Sequence, residues 1–102
     1  MNRFSFEVIG EQTWNEVDDN VDVQIRLEDG RLYTATFFTL QNLQTLFERN
    51  KQSGECAAGT YFWAADMICV HVITPEVIQK TIRALLDEGE LEASCSQVEP
   101  AS

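Results

Sequence analysis

Hydrophobic and polar residues alternate from position 3 to position 9, with Phe4, Phe6 and Val8 set against Arg3, Ser5 and Glu7. A period of two sends successive side chains to opposite faces of an extended chain, so this segment predicts a half-buried strand that Gly10 ends. Residues 11 to 20 are polar and acidic, with Trp14 and Val17 as the large apolar anchors. They predict a loop that packs one aromatic ring back onto the body. Alternation resumes at Val21, Val23, Ile25 and Leu27, interleaved with Asp22, Gln24, Arg26 and Glu28, and Asp29-Gly30 supplies turn chemistry for a hairpin. A two-residue loop would oppose Val23 to Thr36 and Ile25 to Thr34. A three-residue loop, Glu28-Asp29-Gly30 with Gly30 left-handed, opposes Ile25 to Tyr33, Val23 to Ala35 and Val21 to Phe37. It keeps apolar against apolar and is the predicted register.

The returning strand, residues 31 to 38, carries strong charge on neither face and reads as central. Thr39 then stands where a helix N-cap belongs, ahead of Leu40, Leu43, Leu46 and Phe47 at spacings of three and four. This amphipathic helix should end near Lys51 or Gln52, with Arg49 and Lys51 suiting its negative dipole end and Gly54 available as a left-handed cap. Residues 60 to 72 are almost continuously apolar, aromatic and β-branched, which predicts buried strand. The pattern allows one strand kinked at Ala65-Asp66 or two pieces joined there, and two pieces is the expectation. Thr74-Pro75-Glu76 opens a second helix with Val77, Ile78, Ile82, Leu85 and Leu86 as its buried stripe, and Gly89 closes it. The remainder carries Leu91 and Val98 and is expected to fray from about residue 92. The order β-β-β-α-β-β-α predicts one α+β domain over residues 1–102: a mainly antiparallel sheet of four or five strands with two helices packed on one face.

Composition adds exclusions. A chain of 102 residues, 44% hydrophobic and 24% charged, is too apolar for disorder and too interrupted by charge for a membrane span. Seventeen acids against seven bases give a net charge of −10, which repels a phosphate backbone, so no direct nucleic-acid binding is expected. The opening residues do not read as a secretory signal, and a cytoplasmic location is expected. Cys56, Cys69 and Cys95 are widely spaced and odd in number, and reduced, packed thiols are the expectation.

Candidate chemistry is thin. Cys69 and His71 share a strand face and could pair as metal ligands or as thiol and base, yet two ligands do not make a site and no nucleophile signature accompanies them. Asp18-Asp19-Asn20-Val21-Asp22 with Asp29 echoes a calcium loop, but Val23 stands where that loop needs glycine. No carboxylate pair is singled out by an apolar surround, and no glycine cluster cradles a phosphate. No catalytic residue, metal or cofactor is expected. The richest feature is Tyr61-Phe62-Trp63 followed by Met67. If helices cover one sheet face, the segment carrying Trp14 is expected to cover the other. An aromatic and methionine surface left open would instead suit a protein partner or a homodimer.

Asp29-Gly30-Arg31, Ala35-Thr36-Phe37-Phe38-Thr39, Gly54-Glu55-Cys56, Tyr61-Phe62-Trp63-Ala64, Asp66-Met67-Ile68 and Glu88-Gly89-Glu90 together resemble a small uncharacterised bacterial family of about this length. That resemblance covers most of the chain and implies a bacterial cytoplasmic protein. It brings no activity, cofactor or site residue.

The functional expectation is a non-enzymatic, acidic interaction module that serves as an immunity-type or regulatory partner of another protein, a basic one or a second copy of itself. Its expected surface is Glu11, Trp14, Glu16, Asp18, Asp19, Asp22, Glu88 and Glu90. The alternative is a small-molecule-binding or enzymatic domain with a pocket near Tyr33, Tyr61, Trp63, Met67 and His71.

Overall fold

A computed structural model describes residues 3–10 and 13–98. Strands β1 (Phe4–Ile9), β2 (Asn20–Leu27) and β3 (Leu32–Thr39) form an antiparallel meander. The hairpin has the expected three-residue loop: Ile25 stands opposite Tyr33, Val23 opposite Ala35 and Val21 opposite Phe37. Gly30 takes φ +93°, and the Leu27 N–H donates to the Arg31 carbonyl at 2.9 Å. Residues with a Cβ seldom adopt that φ, which is why glycine closes the turn.

Helix α1 (Leu40–Ser53) begins at Thr39, whose hydroxyl accepts from the Asn42 N–H, and ends at Gly54 with φ +86°. Both caps are the expected ones. Beyond it α2 (Glu55–Gly59) is a single left-handed turn, with Cys56, Ala57 and Ala58 at φ between 51° and 57°. L-residues enter that conformation at a cost of roughly 1–2 kcal/mol each. The turn bends the chain against α1, where Gly59 approaches so closely that a Cβ would stand 2.8 Å from the Phe47 carbonyl oxygen. Gly59→Ala is therefore expected to lower stability by at least about 1–2 kcal/mol, read from urea unfolding. An unchanged midpoint would mean that the turn does not hold this geometry.

The α1–α2 connection returns the chain to pair β4 (Met67–Val70) parallel to β3, as a crossover permits and a tight hairpin does not. Helix α3 (Pro75–Asp87) starts at the Thr74 cap with Pro75 in its first turn. The chain closes with a short turn, α4 (Leu91–Ser94), and β5 (Ser96–Val98), which runs antiparallel to β3. Strands β4 and β5 share one edge of β3, at Thr36–Thr39 and at Leu32–Thr34 respectively. Asp66 joins them, its carbonyl accepting from the Thr36 N–H at 3.0 Å and its carboxylate from the Ser96 hydroxyl at 2.6 Å.

The α+β architecture and mainly antiparallel sheet are as expected, with two local corrections. Residues 61–64 form no strand: β4 and β5 occupy the edge of β3, and Asp66 at φ 56° turns the chain between Trp63 and Met67. The fifth strand comes instead from the segment expected to fray, because Leu91 and Cys95, four residues apart across the α4 turn, are 3% and 5% exposed.

One face of the sheet carries the core. Val23, Ile25, Tyr33 and Phe37 from the strands meet Ile73, Ile78 and Ile82, and Phe4, Phe6, Val8, Trp14, Ile68 and Val70 pack around them. Helix α3 covers this face, while α1 contributes no residue to the cluster and lies against α2 and β3. On the opposite face Ser5, Glu7, Asp22, Arg26, Met67 and Cys69 are exposed, Gln24, Leu32, Thr34 and Thr36 are half-buried, and Phe38 is buried and meets Phe62 edge-on, ring centroids 5.5 Å apart.

Candidate functional site

Four groups of side chains were singled out by the sequence, and the fold treats each differently. The acidic loop turns inward. Its Trp14 indole N–H donates to the Ile73 carbonyl at 2.7 Å, and the Ile73 N–H returns a bond to the Glu16 carbonyl at 2.8 Å. The Trp14 segment therefore packs on the core side, not on the second sheet face it was expected to cover. Asp18 accepts from the Asn42 side-chain amide at 3.1 Å and the Thr45 hydroxyl at 3.2 Å. It thus brings a carboxylate to the N-terminal end of α1, a helix with no acid in its own first turn. The Asp19 carboxylate accepts from the Asn15 and Asn20 N–H groups, and Asp22 from the Thr36 hydroxyl at 2.8 Å. Asp18 and Asp19 hold the loop, whereas Asp22 lies on β2 and stays exposed on the sheet face opposite the core.

Glu16, Glu88 and Glu90 do face solvent, but Glu16 sits beside the start of α3 and the other two beyond its end. At 1.5 Å per residue the helix separates them by about 20 Å. The expected acidic residues therefore do not form one patch. Glu11 lies outside the described residues.

The expected pocket is not assembled either. Tyr33 is 2% exposed on the core face, whereas Met67 projects from the opposite face and Tyr61, Trp63 and His71 are exposed. Tyr33 instead borders a groove of about 300 Å³ with Leu27, Leu85, Leu86, Leu91, Arg31 and Glu92. The polar groups in it satisfy one another. Arg31 reaches the Tyr33 hydroxyl at 3.3 Å and Glu92 at 3.1 Å, and its Nε lies 2.8 Å from Asp29. The Arg31 backbone N–H and guanidinium hold the Asp29 carboxyl below its usual 3.8. This groove gathers no nucleophile with a base.

The thiols are separated as well. Cys69 is exposed, Cys56 half-buried and Cys95 buried, and burial pushes the Cys95 thiol above its usual 9.0. Among the described residues no group of three or more His, Cys, Asp or Glu side chains is gathered as a metal would require. In native buffer Cys69 is expected to react first with an alkylating reagent and Cys95 only on unfolding. Above pH 9.0 the unfolded chain loses the Cys95 proton before the folded one does, so folding stability should fall with rising pH there. Mass mapping of timed alkylation checks the order. Early labelling of Cys95 would contradict the packing of α4.

What remains is the aromatic segment. Phe62 is anchored on Phe38, and its chain neighbours Tyr61 and Trp63 stay 50% and 69% exposed. Met67 is 37% exposed on the sheet face opposite the core, a few residues on. Trp63 is the most exposed of the large apolar side chains among the described residues. The sequence signalled this cluster by composition but pointed to strand, since aromatic and β-branched content marks a tendency toward burial without naming the partner. Comparison of the chain with protein-family models, curated proteins and solved structures finds no match. Among the described residues no helix is long and apolar enough to cross a membrane.

Proposed function

We propose that the protein is a non-enzymatic interaction module that binds a second protein through the surface around Tyr61, Trp63 and Met67. The observation that carries this reading is a tryptophan 69% exposed a few residues before Met67, which is 37% exposed on the sheet face opposite the core. Aromatic side chains and methionine are the residues that most often supply binding energy when a partner desolvates them. The net charge of −10 favours a partner of positive charge and speeds the encounter, while the aromatic surface holds the complex. This differs from a purely acidic docking surface, because Asp18 and Asp19 are engaged within the fold.

Hydroxyl-radical footprinting tests the reading before any partner is identified. The untagged protein is oxidised alone, in lysate of its own cells, and in the same lysate after protease digestion and quenching. Trp63 and Met67 are expected to be protected in the intact lysate alone, with half-buried Trp14 unchanged throughout. Equal oxidation of Trp63 in all three would reject the proposal.

A further inference from the structure

We infer that β1 is a self-association edge: two copies pair β1 to β1, antiparallel, with Arg3 of each copy opposite Glu7 of the other. The argument starts from the hydrogen bonds β1 already makes. Arg3 accepts the Glu28 N–H at 3.0 Å, so Arg3, Ser5 and Glu7 turn their main-chain groups toward β2, and Phe4, Phe6 and Val8 turn theirs outward. The pairing with β2 runs unbroken from Phe4 to Ile9, and the strand carries no proline, lysine or bulge. Proline, lysine and bulges are among the features by which proteins blunt a free edge, and the charges present, Arg3 and Glu7, are of opposite sign.

The core is also incomplete at this edge. Val23, Ile25 and Leu27 on β2 are 0%, 0% and 6% exposed, whereas Phe4, Phe6 and Val8 join the same cluster but remain only half-buried. A strand added beside β1 would continue the sheet and cover them.

Charge identifies the occupant as a second copy. Arg3 and Glu7 stand two residues to either side of Ser5. Pairing centred on Ser5 therefore sets Arg3 against Glu7 twice, Ser5 against Ser5, and Phe4 against Phe6 on the core face. In this register Phe4 and Phe6, whose main-chain groups are the free ones, exchange the hydrogen bonds. Centring on Glu7 would oppose like charges, and a one-residue slip would put the aromatic rings on the wrong face. The aromatic surface adjoins β4, on the other side of the sheet from β1, so the dimer would carry two copies of it.

Sedimentation velocity on the untagged chain, with circular dichroism to verify folding, tests the inference through R3E, E7R and their combination. The unsubstituted chain is expected to dimerise, and each single reversal to weaken the dimer by at least about tenfold, since the two-fold axis converts both ion pairs to repulsion. The R3E/E7R chain should recover dimerisation. An equimolar mixture of R3E and E7R should form a heterodimer, because one carries acid at both positions and the other base at both. A monomeric unsubstituted chain, or failure of the mixture to associate, would overturn the inference. So would a dimer that survives R3E and is lost in W63A, and that outcome would assign self-association to the aromatic surface instead.

Discussion

Replacing Phe37 by alanine is expected to lower the unfolding free energy by about 3–5 kcal/mol. Phe37 is 0% exposed in the middle of the core. Val21 is its partner on β2 and Ile68 its partner on β4, so strands flank it on both sides. A cavity left there is walled by paired backbone and cannot collapse, and unrelieved cavities account for the upper end of such costs. Total stability for a domain of this size is roughly 5–15 kcal/mol, so the variant should unfold well below the parent's urea midpoint. Ile9→Ala is the matched control: Ile9 is 45% exposed on the open face, and its loss should change stability by no more than about 0.5 kcal/mol. Equal effects from the two substitutions would mean that the buried and open faces have been exchanged.

Thr39→Val is expected to cost about 2–3 kcal/mol, although it keeps the shape of the side chain. The Thr39 hydroxyl accepts two backbone N–H groups, from Asn42 at 3.0 Å and from Asp19 at 3.3 Å, and the residue is fully buried. Valine would strand both donors. One caps α1 and the other fastens the acidic loop, so their loss should release Asp18 from Asn42 and Thr45 as well. Thr74→Val provides the contrast. Its hydroxyl accepts only the Val77 N–H at 3.1 Å among the bonds observed, and its loss should cost about 1 kcal/mol. Hydrogen exchange distinguishes the mechanisms: in Thr39→Val the Asn42 and Asp19 amides should both lose protection. If only Asn42 does, the loop is held by other contacts.

Where periodicity is long and turn chemistry specific, the fold is legible in the sequence. The alternation from Val21 to Leu27 together with Gly30 determines not only a hairpin but its register, because a shift would set isoleucine against threonine. Thr39 and Thr74 mark their helices because few other residues satisfy free N–H groups at a helix start. Residues 61–64 and 91–98 depart from expectation for a common reason. Which segment wins the edge of β3 is a contest between distant parts of the chain, and local pattern carries no record of it. Leu91 and Cys95, at helical spacing just after the turn at Gly89, are the available signal that the tail returns to the core.

The candidate site is less legible. Acidic residues in a polar run look alike in sequence whether water or the protein solvates them. Asp18 and Asp19 become structural only because Thr39, Asn42 and Thr45 come beside them. The aromatic cluster is visible from composition, but its exposure goes with Trp14 packing against Ile73 on the core side and not over the second sheet face. No periodicity argument decides between those two destinations for one tryptophan.

The most direct test of the aromatic surface is photo-crosslinking in living cells. A photoreactive amino acid is placed at position 63, and in a separate chain at position 80, an exposed site on the opposite, helix-covered side. Position 63 is expected to yield one discrete heterologous adduct that disappears when Tyr61 and Met67 are also changed to alanine, and position 80 to yield none. No adduct at position 63, or the same adduct from both positions, would contradict a binding role for this surface.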